Sequence, residues 1–504
     1  MTRAEGAGEM KGSGKGRLFR TPGIRGMWLA FVVSPAFAQI SPISTQGLFF
    51  DQASNAHRGN YLEVDAGLIY NDNVDLTPNG PGDTLAMIGL VGDTARNGPR
   101  LDYSLVSDLS LVKYLHSEFP TQPFGFAYGT GEFKIVPGFF SWTATDSYNE
   151  AQLTPYAPLT PNNLEAINYF RTGPRFTLRP TLRTTVVVDG IYSIVDSTSK
   201  SPQYVNINNH AYGGDITISR AFSSIASVYI TGVEEKVEFS DTTVNTDFRE
   251  ESIFGGFRLV DARTSLDVGG GYTKLYLTTL IDVQSIVGLV QRPQNQSPSG
   301  VTWNLNLSRL IRPTQRVSLT ATQQVTDAAN LFNLSVNQAV PTTVAYRLNS
   351  GEPFTYRTFG AAWRLQETRT TFEIDGNYIT QRYSATPSLD VDQRVIGAVF
   401  TRQLSAVLNW DIGASYEHDD YASGGRINTV NAITSLRWRL GQRLSLRFLY
   451  AHYSYEPNGY RNNQVGVIAA YGIQGAGTAS AAAPALTPGN PLQPNAPFNP
   501  QPYP

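Results

Sequence analysis

The chain has 504 residues, with 39 Lys and Arg against 41 Asp and Glu, and it contains no cysteine. Without cysteine there is no disulfide framework, no thiolate nucleophile and no cysteine-ligated zinc or iron–sulfur cluster. A net charge of −2 also excludes a dedicated nucleic-acid-binding protein, because such a protein needs a basic excess to neutralise phosphates. Low charge (16%) with many aromatic residues (11%) favours a large β protein, either secreted or embedded in a membrane.

The N-terminus has the order of a secretory signal peptide. The basic stretch Arg17–Arg25 precedes a short apolar stretch, Trp28–Val33, and the small-x-small triplet Ala36–Ala38 follows. A positive region, a short apolar region and an A-x-A site are the three parts of such a signal. We therefore expect residues 1–38 to be cleaved off and residues 39–59 to form a polar periplasmic lead-in.

From about residue 60 onward, apolar and polar residues alternate in stretches of about 11–16 residues. One stretch places Val301, Trp303 and Leu305 on one side and Thr302 and Asn304 on the other. Alternation with a period of two is typical of a β-strand that has one apolar and one polar face. Such stretches are centred near residues 65, 89, 107, 130, 144, 171, 189, 213, 230, 254, 270, 306, 322, 360, 376, 398, 413, 434, 449 and 466.

The connections between these stretches alternate between short and long. Short turns such as Pro137-Gly138 and Arg312-Pro313 alternate with longer polar loops such as 277–299 and 330–353. This alternation is typical of bacterial outer-membrane barrels, whose short turns are periplasmic and whose long loops are extracellular. We therefore predict an all-β fold, a transmembrane outer-membrane β-barrel of about 20 antiparallel strands, with a range of 16–22, over residues 60–472.

Two further features agree with this fold class. No stretch after the signal peptide approaches the length of about 18–20 apolar residues that a spanning helix requires. The strands are longer than those of a soluble β-sandwich or propeller, and aromatic residues recur near their ends, as in Tyr61, Tyr70 and Trp438. Residues 473–504 are rich in Ala, Pro and Asn and are expected to form a disordered tail with a polyproline-like end.

Three short motifs resemble outer-membrane barrels encoded beside exopolysaccharide and exosortase/PEP-CTERM systems. They are Tyr70-Asn71-Asp72-Asn73-Val74, Leu159-Thr160-Pro161-Asn162-Asn163 and Thr172-Gly173-Pro174-Arg175-Phe176. The resemblance implies export of an extracellular polysaccharide, with periplasmic export or synthesis proteins as partners. Outer-membrane lipid and the barrel-assembly machinery are the other expected partners, and nucleic acid is not one. The residues themselves leave open a general diffusion porin for small solutes and a structural or adhesive barrel.

No catalytic, cofactor or metal site is predicted, and an enzyme is not expected. The histidines are His57, His116, His210, His418 and His452, and none of them has the spacing of a paired metal ligand or lies beside a glycine-flanked serine. The run Gly269–Gly271 is not followed by the Lys-Ser/Thr of a phosphate-binding loop and is better explained as a kink in a curved strand.

Charged residues that alternate with apolar neighbours are candidates for lining a pore, since they occupy the polar faces of strands. These candidates are Asp102, Asp108, Arg183, Asp189, Arg316, Arg364, Glu373, Asp375, Asp411, Glu417, Arg437, Arg439 and Arg447. Arg437, Arg439, Arg443 and Arg447 flank one short turn and predict a basic cluster at the periplasmic mouth. Such a cluster either keeps the barrel wall hydrated near the lipid headgroups, or it attracts an anionic solute or an acidic polysaccharide.

Overall fold

The computed structural model describes residues 61–117, 119–152, 160–197, 207–240, 247–277, 283–285, 288–290, 299–327, 353–384, 386–456 and 459–474. Twenty of its strands form one antiparallel sheet. They are β1 (Tyr61–Asn71), β2 (Asp83–Asn97), β3 (Leu101–Tyr114), β4 (Gln122–Val136), β5 (Phe140–Gln152), β6 (Leu164–Thr181), β7 (Thr184–Ser197), β8 (Asn209–Ala221), β9 (Ala226–Phe239), β10 (Phe248–Val260), β11 (Thr264–Leu277), β14 (Ser299–Arg312), β15 (Gln315–Thr326), β16 (Phe354–Gln366), β17 (Thr370–Tyr383), β18 (Val391–Gln403), β19 (Leu408–Tyr421), β20 (Arg426–Arg439), β21 (Leu444–Glu456) and β22 (Tyr460–Gln474). Two short strands, β12 (Val283–Ser285) and β13 (Gly288–Val290), pair only with each other.

The sheet closes on itself because the first strand pairs with the last. Leu68 of β1 lies opposite Ala86 of β2 on one side and Val467 of β22 on the other. The closed antiparallel barrel predicted from the sequence is confirmed, including its 20 strands, and each of the twenty predicted centres falls within a barrel strand. The predicted signal peptide, the predicted lead-in and residues 475–504 of the predicted tail lie outside the described residues.

The two faces of the wall differ as the alternation requires. In β19, Trp410 and Tyr416 are 37% and 43% exposed, whereas the alternating Asp411 and Glu417 are 3% and 1% exposed. Successive side chains of a strand point to opposite faces, so the apolar set covers the outside and the polar set faces the interior. Among the described residues, no helix has the length and apolarity needed to cross a membrane.

The two ends of the barrel differ as well. At one end every connection is a turn of two to four residues, such as that between β4 and β5, and all the longer connections lie at the other end. An even number of strands returns the chain to its starting side, so β1 begins and β22 ends at the short-turn end. We call the opposite side the long-loop end.

Outward aromatic side chains form two rows near these ends. Towards the long-loop end, the Tyr212 hydroxyl donates to Glu238 at 3.0 Å and the Tyr416 hydroxyl to Asn428 at 3.0 Å. Towards the short-turn end, the Trp410 indole nitrogen donates to the Thr434 hydroxyl at 2.9 Å. Aromatic side chains with one apolar and one polar part suit the boundary between hydrocarbon and water.

The glycine run of β11 lies inside an unbroken strand and not in a phosphate-binding loop. A Cβ built on Gly269 would lie 2.5 Å from the Phe254 ring, and one on Gly271 would lie 2.1 Å from the Ile253 carbonyl oxygen. The glycines therefore permit close contact between β10 and β11, which is a packing role.

Candidate functional site

The inward face of the barrel carries most of the charged residues singled out from the sequence. The strand pattern and burial place the following on this face: Asp102, Asp108, Asp189, Arg316, Arg364, Glu373, Asp375, Asp411, Glu417, Arg437 and Arg447. Arg439 is the last residue of β20 and is half-buried. Arg183 does not line the interior: it lies exposed in the turn between β6 and β7, because β6 continues to Thr181 and the alternation ends there.

Two arginines of the basic cluster predicted near the short-turn end, Arg437 and Arg447, are balanced by carboxylates of the first strand. Arg437 and Arg447 lie directly opposite each other on β20 and β21, a like-charge pair that is unfavourable by itself. The Arg437 guanidinium donates to both oxygens of Glu63, at 2.8 and 2.6 Å. Asp65, 1% exposed, lies within electrostatic range of both arginines. The four side chains therefore form a balanced cluster and not an isolated basic patch.

A second opposed pair of arginines lies on β15 and β16. Arg316 faces Arg364 directly, and Arg364 in turn faces Glu373 of β17. The Arg364 Nε lies 3.9 Å from a Glu373 oxygen. The same pattern therefore recurs, with two arginines side by side and a carboxylate on the next strand.

The motif Thr172-Gly173-Pro174-Arg175-Phe176 places a buried ion pair inside the wall. Arg175 donates to both oxygens of Asp189 at 2.7 and 2.8 Å, and the two residues are 7% and 5% exposed. A Cβ on Gly173 would lie 1.8 Å from the Gly190 carbonyl oxygen, so only glycine fits at this position. The pair is bidentate, which is the strongest geometry for Arg and carboxylate.

Asp267 of β11 is the centre of a polar network that includes residues of four strands. It is 0% exposed, and one of its oxygens accepts from Arg258 Nε and Nη2 at 3.0 and 2.9 Å. The other oxygen accepts from the Tyr229 hydroxyl at 2.8 Å and from Asn304 Nδ2 at 3.3 Å. Three neighbouring strands and β11 itself are therefore joined through one carboxylate.

The motif Tyr70-Asn71-Asp72-Asn73-Val74 stabilises the barrel seam, the place where the first strand, β1, pairs with the last strand, β22. Asn462 of β22 donates to the Asn71 side chain at 2.6 Å and to the Asn73 carbonyl at 2.9 Å. Asp72 accepts from the Asn463 backbone and side chain, both at 2.7 Å. The motif thus joins the first strand to the last at the long-loop end and directs the first loop inward.

That first loop, residues 72–82, packs against the inward face of β18 to β22. Leu76 is 1% exposed and belongs to one apolar cluster with six inward residues: Val391, Tyr421, Ile427, Tyr453, Tyr455 and Tyr460. Its φ of 50° lies in the left-handed region, which leucine rarely adopts. Asn73 holds the loop by donating to the Arg461 carbonyl at 2.9 Å. The loop therefore occupies part of the interior at the long-loop end.

Aromatic side chains surround the interior near the same end. The buried inward aromatic residues towards this end include Tyr114, Phe124, Tyr169, Phe239, Phe248, Phe354, Tyr356, Tyr383, Tyr421, Tyr453, Tyr455 and Tyr460. Tyr455 and Tyr460 stack at 4.8 Å with 5° between their planes, and Phe354 packs 4.9 Å from Tyr383. Sequence reasoning did not single out these residues, although the alternation that placed the charges inside would have placed them there too.

Carboxylates with amide partners lie beside these aromatic residues. Gln393 donates to Glu417 at 2.6 Å, and the Tyr421 hydroxyl donates to Asp419 at 3.4 Å. Glu417 and Asp419 follow each other on the inward face of β19 and are both 1% exposed. This end of the interior therefore combines aromatic faces, carboxylates and amides.

In the part of the chain that the structure describes, the histidines do not form a group with other side chains that could bind a metal ion. No cluster of three or more His, Cys, Asp or Glu side chains there is placed to hold a metal ion. His116 lies 2.8 Å from Asp83, His210 lies 3.0 Å from Glu238, and His418 lies 3.1 Å from Asp420. His57 lies outside the described residues.

No known family model matches the sequence, and no curated protein matches it. Similar solved structures include the apoprotein form of the FrpB iron transporter from Neisseria meningitidis, at 8% identity and a TM-score of 0.44, with 84% of this chain and 82% of that chain covered. The ferric citrate transporter FecA is 9% identical and has a TM-score of 0.42, with 82% of this chain and 79% of that chain covered. OccAB4 from Acinetobacter baumannii is 8% identical and has a TM-score of 0.35, with 82% of this chain and 98% of that chain covered. These values identify no substrate for this chain.

Proposed function

We propose that this protein is an outer-membrane barrel that acts as a conduit, and that it exports an extracellular polysaccharide. The observation that carries the proposal is the division of one closed barrel into an apolar outer wall and a charged inner wall. Leu68, Ile253 and Val301 are 56%, 57% and 56% exposed on the outside. A continuous exposed apolar surface of this extent is unfavourable in water and suits lipid.

The choice of a polysaccharide rests on the motif resemblance and on the chemistry of the interior. Aromatic rings offer apolar faces to sugar rings, and carboxylates and amides accept and donate hydrogen bonds to hydroxyl groups. Inward Arg437 and Arg447 near the short-turn end are balanced by Glu63 and Asp65, so these four groups together present no field of one sign to a passing polymer. A neutral or weakly charged polymer therefore fits this interior better than an acidic one.

A structural barrel is the second candidate, because many inward side chains are buried. Asp267, Asn304 and Glu417 are 0%, 1% and 1% exposed, although they face the interior. A conduit must then open by displacing interior contacts, among which the loop that carries Leu76 is the first candidate. Ion conductance in a planar bilayer separates the two functions, since a permanently filled barrel does not conduct.

The membrane assignment predicts how the purified mature protein behaves. In detergent it is expected to give a β-rich circular dichroism spectrum and to migrate differently on gels before and after boiling. The reason is that every strand of the closed sheet has two hydrogen-bonded neighbours, so the barrel resists unfolding until it is heated. A monodisperse protein in buffer without detergent, or a helical spectrum, would refute the membrane assignment.

Export is tested by deleting the gene and measuring secreted polysaccharide. We expect secretion to fall and to return when the wild-type gene is supplied, because the polymer needs an aqueous route across the lipid. Unchanged secretion in the deletion strain would exclude the export role.

The same strain tests the arginines near the short-turn end. A variant with Arg437, Arg439 and Arg447 all changed to Ala removes the Arg437–Glu63 ion pair and the favourable charge of Arg447 near Asp65, so we expect less folded barrel in the membrane. If folded protein is unchanged while secretion falls, the arginines act on the cargo itself.

A further inference from the structure

An open groove of about 990 Å³ lies on the outer wall across β7 to β11. Ile216, Ile253 and Tyr272 line it and are 51%, 57% and 47% exposed. Gly232 lies between Ile216 and Ile253 in the register of the sheet, and a Cβ built on it meets nothing within 4 Å. Gly232 therefore leaves open space in the groove at a position where the fold has room for a side chain.

Charged side chains line the groove towards the long-loop end, and we call these five the rim: Glu234, Lys236, Arg249, Glu251 and Lys274. Arg249 lies 2.9 Å from Glu234 and 2.6 Å from Glu251. Lys236 lies 2.5 Å from Glu238, and the Lys274 ammonium lies 4.3 Å from the centre of the Tyr276 ring.

The lysine and arginine side chains of the rim each carry more N–H donors than the contacts named above require. A lysine ammonium has three donors and an arginine guanidinium has five, so each rim cation can bind an anionic oxygen in addition to its present partners. Phosphate oxygens are suitable acceptors for both types of cation. Three cations spread over three strands can meet more than one phosphate group.

We propose that the groove binds a phosphorylated glycolipid of the outer leaflet, with acyl chains along the apolar walls and phosphates at the rim. The polar and apolar parts of the groove follow each other along the strands, as headgroup and chains do in a lipid. Five strands spaced about 4.8 Å apart give a width of about 20 Å, enough for several acyl chains side by side. The inference rests on the barrel being embedded in a membrane but not on the identity of its cargo.

A second copy of the barrel fits the groove less well. The wall of a barrel is convex, and two facing grooves would enclose an unfilled space between them.

The test uses the variant Gly232→Leu, which fills the groove with an apolar side chain that the fold has room for. Full-length protein in detergent is incubated with purified bisphosphorylated lipid A and examined by native mass spectrometry. Wild-type protein is expected to retain the glycolipid, and the variant to retain about tenfold less, the loss expected when a few methylene groups lose their contacts. Gly376→Leu is the matched control, since Gly376 also faces outward and its Cβ would have no neighbour closer than 3.7 Å.

A charge variant separates the headgroup from the chains. Lys236→Gln combined with Lys274→Gln is expected to reduce retention of bisphosphorylated lipid A but not of its dephosphorylated form. Equal retention by the wild type and Gly232→Leu would overturn the proposal. So would equal retention of phosphatidylethanolamine, full competition by inorganic phosphate alone, or a dimer that Gly232→Leu abolishes. Heat-modifiable mobility of each variant, measured on the same samples, shows that a loss of lipid is not a loss of the folded barrel.

Discussion

Changing Leu76 to Asn is expected to raise the conductance of the barrel in planar bilayers severalfold. Leu76 is held among inward residues of β18 to β22, and loss of such a buried leucine costs about 2–5 kcal/mol. Asparagine accepts the left-handed backbone at this position, so the substitution removes the packing without adding backbone strain. A loss of about 2 kcal/mol already shifts an open–closed equilibrium about 30-fold.

The control for this experiment is a leucine in the next loop. Leu115 is 46% exposed, so Leu115→Asn is expected to leave the conductance unchanged. Heat-modifiable mobility of both variants shows whether the barrel remains closed and folded. If the conductance of the Leu76 variant equals that of the wild type, the first loop does not obstruct the interior.

Changing Asp267 to Ala is expected to destabilise the barrel by about 3–5 kcal/mol, because it removes a buried carboxylate that is ion-paired with a buried guanidinium. Arg258 is only 6% exposed, and Tyr229 and Asn304 would lose their acceptor in the same step. Urea unfolding of the folded barrel, followed by tryptophan fluorescence and gel mobility, measures the change in the free energy of unfolding.

Two comparisons establish the cause of that loss. Arg426→Ala removes a side chain that is 78% exposed and 3.0 Å from Asp420, and we expect a change of about 0–1 kcal/mol for such a surface pair. The double variant Arg258→Met with Asp267→Leu removes both charges and is expected to recover most of the lost stability. An Asp267→Ala variant as stable as the wild type would show that the network does not stabilise the wall.

The sequence by itself predicted the strands, their two faces and a strand number of about 20 within a range of 16–22. Alternation is a property of each strand alone, and over 11 or more residues it fixes which side chains are outward without knowledge of any neighbour. This is why the placement of Asp411 and Glu417 on one face and Trp410 and Tyr416 on the other could be read directly. Arg183 was misplaced because alternation does not show at which residue a strand ends.

Only the tertiary structure decided which inward groups meet. Glu63 and Arg437 are far apart in the chain and come together because the barrel closes between β1 and β22. The motif around Asn71 carried a family resemblance in the sequence, but its bonds to Asn462 depend on the same closure. The position of Leu76 against β18 to β22 could not be predicted from the sequence either, since a loop has no period from which its direction can be predicted. Local periodicity specifies the wall, whereas contacts across the seam and into the interior depend on the register and closure of the whole sheet.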